Sequence, residues 1–145
     1  MHNLMPTPSV LFVCTHNSSR SQMAEGLLRA EHGDRFTAYS AGTKPQGVNP
    51  LAVEAMREIG IDITGHRSQH IDEFEPASMD FVVTVCDNAR DTCPYVPALS
   101  RNVHRSFSDP SAVHGTNAEK LAAFRDARDK IRTWLTEEFT KEAGS

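Results

Sequence analysis

A cysteine and an arginine stand six positions apart in Cys14-Thr15-His16-Asn17-Ser18-Ser19-Arg20, and Ser21 follows directly. The two residue types suit one reaction centre. A thiolate is a nucleophile, and a guanidinium is a planar fork that holds two oxygens of an oxyanion at once. Cys14 is therefore the candidate nucleophile, and Thr15, His16, Asn17, Ser18, Ser19, Arg20 and Ser21 are the candidate binding residues for a tetrahedral oxyanion. Asn17 suits a left-handed loop position, and the serine hydroxyls can donate hydrogen bonds. Ser21 is a candidate to stabilise the Cys14 thiolate, and Ser18, Ser19 and Ser21 are candidate helix caps. His16 lies within the cradle, where it can touch the anion. Alone, Cys14 would read as a small buried hydrophobe and Arg20 as a surface residue; their spacing and setting favour chemistry.

That setting is a strand, a loop and a helix. Val10 to Val13 is a short apolar run of the kind found in a buried parallel strand. From Ser21 to about His32, Met23, Leu27 and Ala30 recur at helical spacing, and Gly33 stands where the helix should stop. A helix N-terminus after a tight polar loop gathers N–H groups at the positive end of the helix dipole. A cysteine placed there is expected to exist largely as thiolate.

The rest of the chain alternates in the same way. Phe36 to Ala41 is a strand candidate closed by Gly42, and 43–49 is a loop. Pro50 opens a helix with Leu51, Ala55 and Ile59 on one face, ended by Gly60. Ile61 to Phe74 has weak periodicity, with a short helix at Asp72 and Glu73. Asp80 to Val85 is a second buried strand that runs into Cys86. Asn102 to Phe107 is a further strand, followed by a loop through Asp109-Pro110. The last helix, about Ala118 to Thr140, puts Leu121, Phe124, Ile131, Trp134 and Leu135 on one side. This alternation predicts an α/β fold with a parallel sheet. Its chemistry belongs beyond the carboxyl ends of the strands, where Cys14 and Cys86 share one edge.

The 145 residues suit one domain over 9–145 after a short tail over 1–8 that lacks the marks of a secretory signal. A net charge of −4 argues against a nucleic-acid partner. No apolar run approaches the ~18 residues of a membrane span. Three cysteines do not suit a disulfide framework and point to a cytoplasmic protein with reactive thiols, expected as a monomer.

The Cys-x5-Arg-Ser loop, Ser40-Ala41-Gly42 and the late Asp109-Pro110 resemble the low-molecular-weight protein tyrosine phosphatase family over nearly the whole chain. That resemblance implies a three-layer fold, a four-stranded parallel sheet of order 2-1-3-4 flanked by helices. It also makes Asp109 the general acid. Val82 to Pro94, with six residues between Cys86 and Cys93, is similar to the redox segment of the thioredoxin-coupled arsenate reductases of this family, as are Gly47-Val48-Asn49-Pro50 and Glu54-Ala55-Met56. The spacing is wider than that of zinc knuckles, and the seven histidines are scattered; His66, His70, His104 and His114 read as surface or packing residues.

The resemblance implies that Cys14 attacks arsenate, Cys86 then attacks Cys14, and Cys93 forms with Cys86 a disulfide that thioredoxin reduces. No tightly bound cofactor is implied. Some relatives bind potassium, and Asn17, Glu25 and Ser40 match three of its ligands, with Gln69 standing where the fourth is an aspartate. Losing that anion weakens the cation site. The alternatives are a low-molecular-weight phosphatase with Cys86 and Cys93 as redox protection, and a non-catalytic thiol sensor or oxyanion-binding protein.

Overall fold

A computed structural model describes residues 7–85 and 98–144. Strand β1, Ser9–Cys14, leads through the polar loop into helix α1, Arg20–His32. Strand β2, Thr37–Gly42, and helix α2, Pro50–Arg57, follow. Strands β3, Phe81–Thr84, and β4, Arg101–His104, precede the long helix α3, Asn117–Gly144. The four strands form a parallel sheet in the order β2-β1-β3-β4. This is the expected topology.

Pleating sends alternate β1 side chains to opposite faces. Val10, Phe12 and Cys14 enter the larger core with Met23 and Leu27 of α1, Met56 of α2 and Phe124, Ile131 and Phe139 of α3. Leu11 and Val13 enter a smaller core on the other face, covered by Ile71, Phe74, Met79 and Ala98. Every side chain from Val10 to Val13 is fully buried, each worth about 1.5–3 kcal/mol of transfer free energy. Hydrophobic burial thus fixes β1 at the centre of the sheet and the loop at its carboxyl end.

Some boundaries differ from the sequence reading. The Ile61–Phe74 stretch makes a single 3-10 turn, Ile71–Glu73, capped by the His70 ring, which accounts for its weak periodicity. The last strand ends at His104 rather than Phe107, because Phe107 turns into the core beside Trp134. Helix α1 starts one residue early, at Arg20; Ser19 occupies its N-cap position without making a side-chain cap bond.

Candidate active site

Cys14 closes β1, paired in register with Gly42, and its side chain is buried. The loop beyond it is held from outside through its carbonyls. Lys44 N–H donates to Thr15 O, Gln46 N–H to His16 O, and Asn49 N–H to Ser18 O. The Ser68 hydroxyl takes up His16 O and Asn17 O, and Gln22 Nε2 also donates to Asn17 O. In a trans peptide the N–H points opposite to the C=O. Tying these carbonyls outward therefore turns the N–H groups of His16 to Ser19 inward, and among the described residues no backbone carbonyl takes them. Asn17 makes the bend with φ of 48°, the left-handed conformation expected for it.

Gly42 completes the support. A Cβ there would lie 2.5 Å from Thr15 O and 2.8 Å from Cys14 O, so only glycine lets β2 back the loop this closely.

A hydrogen-bond chain ends on the sulfur. Asn17 Oδ1 accepts from Gln69 N–H at 2.8 Å, which fixes the amide and leaves Nδ2 to donate to Ser21 Oγ at 2.9 Å. With one lone pair of the Ser21 hydroxyl taken by Asn17, its proton is free to donate to Cys14 Sγ, 2.9 Å away.

The hollow above Cys14 is lined by His16, Ser18, Ser19, Arg20, Asp109 and Ser111. Arg20 is buried; one guanidinium nitrogen donates to Phe107 O at 3.0 Å and another lies 3.7 Å from Asp109 Oδ2. Asp109 Oδ1 accepts from both the N–H (2.9 Å) and the hydroxyl (2.7 Å) of Ser111. Its Oδ2 is thereby the oxygen turned toward Arg20. The buried hydroxyls of Thr15 and Ser19 have no protein partner among the described residues, and the Ser19 hydroxyl can serve an oxyanion in the hollow. Cys14, Thr15, His16, Asn17, Ser18, Ser19, Arg20, Ser21 and Asp109 are thus brought together. Cys86 and Cys93 lie outside the described residues; Val85, just before Cys86, donates its N–H to Val13 O beside Cys14.

The implied potassium ligands do not fit that ion. Asn17 Oδ1 is taken by Gln69 N–H, and Ser40 Oγ donates to Glu25 Oε1 at 2.5 Å. Glu25 Oε2 is bonded by the Arg29 guanidinium at 2.5 Å. A second monocation about 4 Å from that guanidinium would be repelled by about 1 kcal/mol in water and about 4 kcal/mol near a protein surface. His66, read from sequence as a surface or packing residue, is instead bonded through both ring nitrogens, to Gln22 Oε1 and to Arg29, each at 2.9 Å. Burial, reinforced by Arg29 and opposed by Glu25, holds its pKa below the ordinary value.

Sequence reasoning missed Gly42, Gln22, Ser68 and Ser111. Ser111 had a local signal, since an aspartate before Pro-Ser is a common turn cap, and Gly42 had one as the end of Ser40-Ala41-Gly42.

The sheet and the loop at its carboxyl edge define a parallel α/β protein with a cysteine at the base of a polar loop hollow. Residues 9–142 match the family model described as low molecular weight phosphotyrosine protein phosphatase, and the chain belongs to that family. It is 49% identical over 122 residues to a Halalkalibacterium halodurans protein named arsenate reductase, covering 84% of this chain and 88% of the relative. It is 44% identical over 133 residues to a Bacillus subtilis protein of the same name, covering 92% and 96%. A solved structure described as an arsenate reductase in the phosphate binding state superposes with a TM-score of 0.79 at 28% identity, covering 93% of this chain and 98% of that one. A low molecular weight protein tyrosine phosphatase from T. tengcongensis shares the fold, with a TM-score of 0.71 at 23% identity and coverage of 93% and 99%.

Proposed function

We propose that this chain reduces arsenate to arsenite in arsenic detoxification, passing electrons through Cys14, Cys86 and Cys93 from thioredoxin. The observation that carries the reading is the Cys14 thiol, hydrogen-bonded by Ser21 beneath a hollow bounded by Arg20 and Asp109. It occurs in a chain 49% identical to a protein named arsenate reductase.

In this mechanism arsenate sits on the loop N–H groups with two oxygens on Arg20, and the Cys14 thiolate attacks arsenic. Asp109 Oδ2 gives a proton to the departing oxygen, which leaves as water, and a Cys14–arsenic(V) bond remains. The Cys86 thiolate then attacks Cys14 Sγ. The sulfur–sulfur bond forms as the sulfur–arsenic pair withdraws onto arsenic, which becomes arsenic(III) and leaves as arsenite. Cys93 attacks Cys86 Sγ and expels Cys14 as thiolate, moving the disulfide to Cys86–Cys93. Thioredoxin, a dithiol, reduces that disulfide by the same exchange. Reduced thiols at rest suit work in the cytoplasm, where we take the chain to act as a monomer.

The test is arsenate-dependent NADPH oxidation with thioredoxin and thioredoxin reductase. Cys86→Ser and Cys93→Ser should each abolish turnover while leaving some hydrolysis of an aryl phosphate. Phosphatase activity at the same cradle is the second reading, favoured by the family match over residues 9–142. Efficient phosphotyrosine hydrolysis with no arsenate reduction would establish it instead.

A further inference from the structure

The place beside Glu25 already holds a cation. Glu25 is buried on α1, so its carboxylate needs a partner to offset lost hydration. Arg29, one turn further along α1, supplies it. Its NH2 donates to Glu25 Oε2 and, at 2.8 Å, to Ala38 O of β2, while its NH1 meets His66 Nε2. The Ser40 hydroxyl occupies the other Glu25 oxygen. Across this point α1, β2 and the 61–70 segment are cross-linked by one guanidinium.

The same guanidinium connects to the loop. With Arg29 donating to Nε2, His66 is neutral and donates from Nδ1 to Gln22 Oε1. This orients the Gln22 amide so that Nε2 donates to Asn17 O and Arg67 O, each at 3.0 Å. Asn17 is the left-handed residue whose side chain bonds Ser21, the partner of Cys14. An unbroken polar path therefore runs from Arg29 through His66, Gln22, Asn17 and Ser21 to the sulfur.

We propose that Arg29 is a built-in cation for the oxyanion loop: its guanidinium takes the place of a monovalent ion beside Glu25 and Ser40 and, through His66 and Gln22, keeps Asn17 in position. Arg29 is a positioning residue and touches no reacting atom. The inference rests on reading Cys14-to-Arg20 as an oxyanion cradle, but on no step of arsenate reduction.

The test compares wild type, Arg29→Ala and Arg29→Lys in potassium chloride and choline chloride at equal ionic strength. Melting temperature and inorganic phosphate affinity by calorimetry are the readouts. Wild type should melt and bind phosphate alike in both salts. Arg29→Ala should lose about tenfold in phosphate affinity in choline chloride, a typical coupling between linked sites. Potassium should restore much of that loss and raise the melting temperature, and Arg29→Lys should stay near wild type. A potassium-specific response in wild type would overturn the proposal, as would an Arg29→Ala loss that potassium leaves unchanged. If Arg29→Ala does not fold, wild type and Arg29→Lys still decide: potassium dependence in either is a refutation. Failure of wild type to bind phosphate would instead count against the cradle itself, while the melting comparison still tests Arg29.

Discussion

Replacing Ser21 by alanine removes the hydroxyl 2.9 Å from Cys14 Sγ in a buried setting, and with it the donor a Cys14 thiolate would use. A hydrogen bond to a charged group contributes about 1.5–3 kcal/mol. At 1.36 kcal/mol per decade, that is about one to two orders of magnitude in any step that needs the thiolate. The substitution also strands the Asn17 Nδ2 donor, which now bonds Ser21 Oγ. A buried donor without a partner costs about 1–3 kcal/mol of stability, so melting temperature should fall as well. The assay is the rate of alkylation by iodoacetamide in a background where Cys86 and Cys93 are serine, so that only Cys14 reacts. At neutral pH Ser21→Ala should react about ten- to a hundredfold more slowly, and the gap should narrow as alkali ionises the thiol without help. Equal rates at every pH would refute the reasoning. So would a uniform loss at every pH, which would signal altered access rather than lost charge stabilisation.

Gly42→Ala should push β2 against Thr15 O and Cys14 O, costing about 1–3 kcal/mol in the melting transition and weakening phosphate binding measured by calorimetry. Asp109→Asn keeps an acceptor for Ser111 but cannot give up a proton. Aryl phosphate hydrolysis should fall about 10²–10⁴-fold in steady-state kinetics with phosphate affinity little changed. The protein should also lose stability in acid. Burial holds His32 and His66 below the ordinary value of 6.5, Arg35 adding to the effect at His32 and Arg29 at His66. Below that value the unfolded chain binds protons that the folded chain refuses. Stability is therefore full above 6.5 and declines as pH falls toward the folded values. Urea midpoints across this range should show that slope, and His32→Gln should flatten it.

Much of the fold was legible because its signals are local. Val10–Val13 and Phe81–Val85 are apolar runs bounded by polar residues, and both lie in the sheet core. The 3.6-residue pattern of Met23, Leu27 and the residues around them gave α1. The loop's geometry was legible for the same reason: Cys14 to Ser21 is contiguous, Asn17 is left-handed and Ser21 lies against Cys14. What escaped were partners distant along the chain. Ser68 and Gln22 bond loop carbonyls from outside it, and Gly42 matters only because β2 packs behind the loop. His66 looked like one scattered histidine because its contacts, Gln22 and Arg29, lie across the fold. Phe107 looked like the end of a strand, yet its ring packs in the core and its carbonyl holds Arg20. Short-range pattern does not encode such bends.

The reduced protein, freed of other thiols and given one equivalent of arsenate, can be quenched and its cysteine pairing mapped by mass spectrometry. The account predicts one equivalent of arsenite, a Cys86–Cys93 disulfide and a free Cys14. Three free thiols with the arsenate unchanged would contradict it.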